Sequence, residues 1–260
     1  MPSVYLVRSV GIMTHGQGRG SIVFTITQSL DGRDHSDHVL VGLSPQNARY
    51  KPEYIRKLIF WLHPRFRSMD VVIPGFEAAY TLIAAGHPPA QAVHRARRAY
   101  RQLHNPALRA LTDLGVPDAP RHVMSWTRLH ATAAYRASLD RSRSAYLTDQ
   151  PLRRACREIA AEVVGNSAEG REVTADDIDT GVRYVIAEIP LLTDGPSLFG
   201  VSDSVFVYHR VTPLVAEIAS GNSTITVDPG QGWAVVDHRE ANHDEHGRTG
   251  PSAALSVSPR

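Results

Sequence analysis

Four side chains that can do chemistry stand at the ends of apolar segments. Ser44 closes the run Val39-Leu40-Val41-Gly42-Leu43, after which Pro45 and Asn47 break the predicted strand. Open α/β sheets place their ligands at the carboxyl ends of their strands. A hydroxyl there is positioned to act as a nucleophile, or, with Asn47, to cap the following helix. Tyr184 and Glu188 are four residues apart on a predicted helix and share one of its faces. The neighbours of Glu188 are Val185, Ile186, Ala187, Ile189, Leu191 and Leu192. A carboxylate in such surroundings costs several kcal/mol unless it has a partner, and a substrate ammonium would be one. Tyr208, followed by His209, ends another apolar run. Ser44, Tyr184, Glu188 and Tyr208 can therefore converge above one sheet edge.

The elements that would carry them follow from hydrophobic period and turn residues. Strands are expected at Val4 to Val7, Ile22 to Thr27, Val39 to Leu43, Met69 to Ile73, His122 to Trp126, Ser204 to Val207 and Trp233 to Val236. Helices are expected over 52–63, 76–86, 89–103 and, as one long helical region, about 127–165. A further helix opens at Thr174-Ala175-Asp176-Asp177, a hydroxyl cap with acids in the first turn, and is expected to stop at Pro190. Pro213 begins a short one. Strands alternating with helices predict an α/β fold, a parallel sheet covered by helices. The glycines of Gly16-Gln17-Gly18-Arg19-Gly20 do not make a phosphate loop, since a β-type run follows them and no Lys-Ser/Thr pair closes them. They read as a turn. Residues 1–237 are expected to be one domain, and 238–260, polar and poor in hydrophobics, a disordered tail. His243 and His246 in that tail lack the packed surroundings of a metal site, and no metal or cofactor is expected.

The single cysteine, Cys156, excludes a disulfide framework and fits a reducing compartment. No secretory leader and no run of about 18 apolar residues is found, so a soluble, cytoplasmic chain, a monomer or weak dimer without membrane contact, is expected. Net charge is only +2, but arginine greatly outnumbers lysine, and His94, Arg95, Arg97, Arg98 and Arg101 fall on one helix. His94, Arg98 and Arg101 share a face at i, i+4 and i+7. Such a ridge is either a solvated helix face or a set of guanidinium forks for RNA phosphates.

Three segments together resemble the cyclodipeptide synthase family, whose members build diketopiperazines from aminoacyl-tRNAs. They are Gly42-Leu43-Ser44-Pro45-Gln46-Asn47, the Tyr184-x-x-x-Glu188-x-Pro190-Leu191 segment, and Tyr208-His209 with Thr212-Pro213, within residues 38–237. Asn47, Tyr208 and His209 are similar to the Asn-Tyr-His subgroup. Departures are Gln46, Ala48-Arg49-Tyr50 and Pro74-Gly75, which bear on substrate identity more than on reaction type.

The resemblance implies a Rossmann-like domain similar to that of class I tyrosyl- and tryptophanyl-tRNA synthetases. Their His-Ile-Gly-His and Lys-Met-Ser-Lys-Ser signatures for ATP are missing here, which is coherent for a substrate ester that is already activated. It also implies a ping-pong acyl transfer. Ser44 takes the first aminoacyl group, Glu188 and Tyr184 hold its ammonium, and the substrate's own groups and Tyr208 relay protons, beside Asn47 and His209. The amine of a second aminoacyl-tRNA then attacks to leave a dipeptidyl-enzyme, which cyclises. A hydrophobic first pocket would be lined by Leu40, Gly42, Val72, Trp126, Leu191 and Phe206, and the arginine ridge would meet tRNA phosphates. Two rivals are a serine hydrolase, for which the second glycine of G-x-S-x-G is missing, and a non-catalytic RNA-binding module.

Overall fold

The computed structural model describes residues 9–11, 22–29, 37–45 and 47–240. Seven strands among them form one sheet: β1 (Ser9–Gly11), β2 (Ile22–Ser29), β3 (His38–Gly42), β4 (Ser68–Ile73), β5 (Val123–Ser125), β6 (Ser204–Tyr208) and β7 (Gln231–Glu240). Their order is β1-β2-β7-β6-β3-β4-β5. The five from β7 to β5 are parallel, and β2 and β1 extend the sheet antiparallel beyond β7. The helices are α1 (Pro52–Leu62), α2 (Ala78–Ala84), α3 (Pro89–Asp113), α4 (Trp126–Leu129), α5 (Ala133–Thr148), α6 (Gln150–Ser167), α7 (Ala175–Thr193), α8 (Gly195–Phe199) and α9 (Pro213–Ser220). This is the expected α/β, Rossmann-like architecture. None of these helices is long and apolar enough to cross a membrane.

The strand period of two sorts the central strands onto two faces. Val39, Val41, Val71, Val205 and Val207 pack with α1 and α3 through Ile55, Ile59, Leu62, Leu103 and Leu111. Leu40, Val72 and Phe206 turn the other way, into a core with Cys156 of α6 and with Val185 and Leu191 of α7. The second face, at the carboxyl ends of β3 and β6, is where Ser44 and Tyr208 emerge.

Several element boundaries differ from the sequence reading. The α3 helix runs on to Asp113 through Pro106, and α7 runs through Pro190 to Thr193, so Pro190 does not stop it. An interior proline costs about 3 kcal/mol. Each fully buried leucine returns about 1.5–3 kcal/mol. Leu103 and Leu111 offset the cost in α3, as Leu191 and Leu192 do in α7. Tyr184 and Glu188 therefore lie mid-helix, held from both sides. The region 127–165 is three helices, because Thr132 and Asp149 cap new starts with their side chains. The first described strand is Ser9–Gly11, while Val4 to Val7 and the glycine-rich 16–20 lie outside the described residues. Finally, β7 continues to Glu240, past the expected boundary at 237. His243 and His246 are also outside the described residues.

At the amino ends of the same strands lies a buried polar cluster. His38 bonds Ser204 Oγ through Nδ1 (2.7 Å) and Asp70 through Nε2 (3.0 Å), and His122 Nδ1 reaches the other Asp70 oxygen (3.0 Å). Phe199 stacks on the His38 ring at 4.8 Å.

Candidate active site

β3 ends at Gly42, and the Leu43 N–H still donates to Val72 O (3.0 Å), so the chain leaves the sheet only at Ser44. Gly42 leaves room for Phe206: a Cβ there would stand 2.7 Å from Phe206 Cζ, and the ring would have to shift. The Ser44 side chain stands beside the phenols of Tyr184, from α7, and Tyr208, from the end of β6. Glu188 lies one turn beyond Tyr184. Gly42, Val72, Trp126, Leu191 and Phe206 line the same cavity as these four, along with Leu43 and Pro74. Leu40 is fully buried in the layer beneath and does not line it. The Trp126 ring lies 5.0 Å from that of Tyr184, and its indole N–H is buried without a partner.

The walls nearly touch. The space between them is about 10 Å³, close to the minimum that admits one water. Any ligand larger than a water must part Trp126, Phe206 and Leu191 to enter.

Charge at the site is set by enclosure. Glu188 keeps a partial opening onto the cavity but is packed on the rest of its surface, and this burial pushes its carboxyl up to about 7, with Arg210 acting against the rise. Burial, with the Glu188 charge second, holds the Tyr184 and Tyr208 phenols far above their ordinary value, while Ser44 works the other way. Both phenols are neutral donors at physiological pH. Glu188 is a carboxylate short of a cation, which an ammonium would supply. Arg210 is itself paired with Glu162 (2.7 Å).

Asn47 and His209 form a brace. Asn47 Nδ2 donates to His209 Nε2 (3.2 Å), His209 Nδ1 donates to Tyr50 Oη (3.2 Å), and the Tyr50 hydroxyl donates to Gly42 O (3.2 Å). The Arg49 N–H donates to Asn47 Oδ1 (3.0 Å). Burial, then Arg49 and Arg210, drives the His209 imidazole down to about 4, so it is neutral in this chain of bonds. The brace ties the loop after β3, which carries Ser44, to the end of β6. Tyr50 is a residue that sequence reasoning missed, having registered only as a departure from a pattern. Tyr135 was missed as well; its hydroxyl donates to Ala187 O of α7 (2.6 Å), next to Glu188. Neither lies at a strand end, so no positional signal marked them.

His94, Arg95, Arg97, Arg98 and Arg101 are all exposed on α3, and none of them lines the cavity. Arg95 bonds His87 (3.1 Å), and Arg97 stacks on Phe76. Gln46 lies outside the described residues. Among the described residues no cluster of metal-binding side chains is found.

A serine between two phenols and a buried carboxyl, at the carboxyl edge of a Rossmann-like sheet, is an arrangement suited to acyl transfer. The family model described as cyclodipeptide synthase matches residues 25–238. The cyclo(L-leucyl-L-leucyl) synthase of Bacillus subtilis is 31% identical over 76% of this chain and 82% of its own length. The cyclo(L-leucyl-L-phenylalanyl) synthase of Streptomyces noursei is 30% identical over 80% and 87%. A solved Mycobacterium tuberculosis structure, described as relating cyclodipeptide synthetases to type I tRNA synthetases, superposes with a TM-score of 0.71 at 22% identity, covering 89% of this chain and 98% of that one. The chain belongs to the cyclodipeptide synthase family.

Proposed function

We propose that this enzyme joins two aminoacyl groups, each delivered as an ester on tRNA, into a cyclic dipeptide through acyl intermediates on Ser44. Ser44 Oγ attacks the ester carbonyl of the first aminoacyl-tRNA. The bond to the ribose oxygen breaks, and the serine proton passes to that oxygen through Tyr208. Glu188 holds the α-ammonium, with Tyr184 fixing its direction.

Atom balance then corrects one step of the sequence reading. If the second substrate's amine attacked, the dipeptide would end on tRNA and leave Ser44 free. A dipeptidyl-enzyme requires the amine of the Ser44-bound group to attack the second ester. The bond from that ester's carbonyl to its ribose oxygen breaks, and the proton the amine loses on forming the amide passes to that oxygen, releasing the second tRNA. Glu188, at about 7, is matched to take the ammonium proton that this step must lose. The new terminal amine attacks the Ser44 ester, the six-membered ring closes, and the proton returns to Ser44.

The observation that carries this reading is the Ser44–Tyr184–Tyr208 contact beside buried Glu188. The apolar lining by Val72, Trp126, Leu191 and Phe206 supports a hydrophobic first residue, and leucyl and phenylalanyl products of the two relatives agree with it. We place the reaction in the cytosol, where charged tRNA is available, and assign it to one domain that includes all of β7. The hydrolase reading lacks a histidine base at Ser44, because both His209 nitrogens are occupied in the brace. Expression in a bacterial host followed by mass spectrometry of the medium should reveal a diketopiperazine with at least one apolar residue, absent with Ser44→Ala. A product built from two charged residues would contradict the pocket, and ester hydrolysis without tRNA would favour the hydrolase.

A further inference from the structure

A cleft of about 450 Å³ lies next to the catalytic cavity and has no role in the steps above. The two spaces are separated by the thickness of the chain. Pro74 and Trp126 line the cavity, while their neighbours Gly75 and Thr127 line the cleft. Opposite them stand Arg97, Tyr100 and Arg101 of α3. Phe76 and Ser125 complete the lining.

Phe76 is 43% exposed, one of two large apolar side chains among the described residues, with Leu147, that stand largely in solvent. It is held in place. Its N–H donates to Thr127 Oγ1 (3.4 Å), and the Arg97 guanidinium lies 5.0 Å from its ring centroid. Glu77, the adjacent carboxylate, is buried and turned back onto the Gly75 N–H (3.0 Å) and His130 (3.3 Å). Arg97 and Arg101 form no ion pair with any described residue. The cleft thus offers an aromatic face beside two guanidinium groups free of acidic partners.

That combination suits a single-stranded nucleotide, whose base stacks on a ring while its phosphate meets the forks. A duplex keeps its base faces stacked internally and has none to offer. The reacting ester also fixes what must lie here. With the acyl carbonyl at Ser44, the ribose that carries it, and the base of that ribose, must sit immediately outside the cavity. We infer that the cleft receives the unpaired 3′ end of the tRNA, with the terminal base stacked on Phe76 and the phosphate behind it held by Arg97 and Arg101. The inference rests on the reading of aminoacyl-tRNA as donor. It divides the arginine ridge: Arg97 and Arg101 serve the 3′ end, and His94 and Arg98 are left for the duplex.

The test uses a tRNA acceptor minihelix with 2-aminopurine in place of the terminal adenine, titrated into the full chain. Stacking on Phe76 should quench its fluorescence. Phe76→Ala should abolish the quench and raise KM for aminoacyl-tRNA about 5- to 150-fold, the range that loss of one stacked base implies, with little change in kcat. Phe76→Trp should restore both. Absence of a quench with the unaltered chain, or an equal quench and KM in Phe76→Ala, would overturn the inference while leaving the donor assignment intact. If the unaltered chain makes no product from aminoacyl-tRNA, the donor assignment itself falls.

Discussion

The face of the sheet that carries Leu40, Val72 and Phe206 has a polar cluster at each end, and the two are built from similar parts. At the amino edge, Ser204, His38, Asp70 and His122 form a serine–histidine–carboxylate chain with bonds of 2.7–3.0 Å. At the carboxyl edge, Ser44 stands between two phenols, beside a carboxyl that is short of a cation. By inventory the amino edge is the better match to a hydrolase. Its serine, however, is wholly buried. Its hydrogen bonds are already made, which is what a structural tie between β3, β4 and β6 needs. The carboxyl edge leaves Glu188 without a hydrogen-bonded cation and the Trp126 N–H without an acceptor. Incomplete bonding in an enclosed place is the mark of a site that expects a ligand.

The difference can be broken by mutation, and the largest effect is expected at Ser44. Ser44→Ala should lower product formation on the order of 10³-fold or more with little change in thermal midpoint. Ser204→Ala should do the reverse, lowering the midpoint but leaving turnover per folded molecule near normal. Glu188→Gln should reduce turnover by roughly 10²-fold or more and also stabilise the fold. The carboxyl is at about 7 folded against an ordinary 4.5, so between these values the folded state binds more protons, and stability falls as pH rises. The penalty is complete above about 7 and, from that shift, is on the order of 3 kcal/mol. Thermal melts should therefore show Glu188→Gln above the unaltered chain at pH 8, with the gap closing towards pH 4.5. A pH-independent gap would remove Glu188 from its assigned environment.

Smaller effects are expected from the ties. His38→Ala leaves Ser204 and Asp70 buried with fewer partners, a loss of about 2–4 kcal/mol visible in urea unfolding, with the product spectrum unaltered. Tyr50→Phe removes the bond to Gly42 O and should cost about 1 kcal/mol and a modest part of kcat. Because His209 is held down to about 4, the pH profile of Tyr50→Phe between 5 and 8 should match that of the unaltered chain. A new inflection there would assign His209 a proton-transfer role. Smallest of all, Arg98→Ala should lower the slope of log affinity for tRNA against log salt by about 0.7–0.9, one phosphate's worth. An unchanged slope would make that arginine a solvated surface residue.

Much of the site was legible because its residues occupy strand and helix positions with strong local signals. The abrupt end of Val39–Leu43 located Ser44, the i, i+4 pair located Tyr184 and Glu188, and the end of an apolar strand located Tyr208. What stayed hidden depends on contacts between distant segments. The brace joins positions about 160 residues apart, and the His38 cluster draws on four strand starts or turns, none unusual alone. Helix ends failed at Pro106 and Pro190, where packing overrides a local breaker. Leu40 was assigned to the pocket from its strand face, which is correct, but its depth along the strand was not readable, and it lies one layer below.

The central claim is that Ser44 carries the acyl group. Purified chain mixed with one leucyl-tRNA or phenylalanyl-tRNA, quenched in acid within seconds and digested, should show by mass spectrometry one aminoacyl addition on the peptide containing Ser44, sensitive to mild base as an ester is. A dipeptidyl addition should follow with longer incubation, and Ser44→Ala should show neither. An acyl group on any other residue, or on that peptide in Ser44→Ala, would contradict the account.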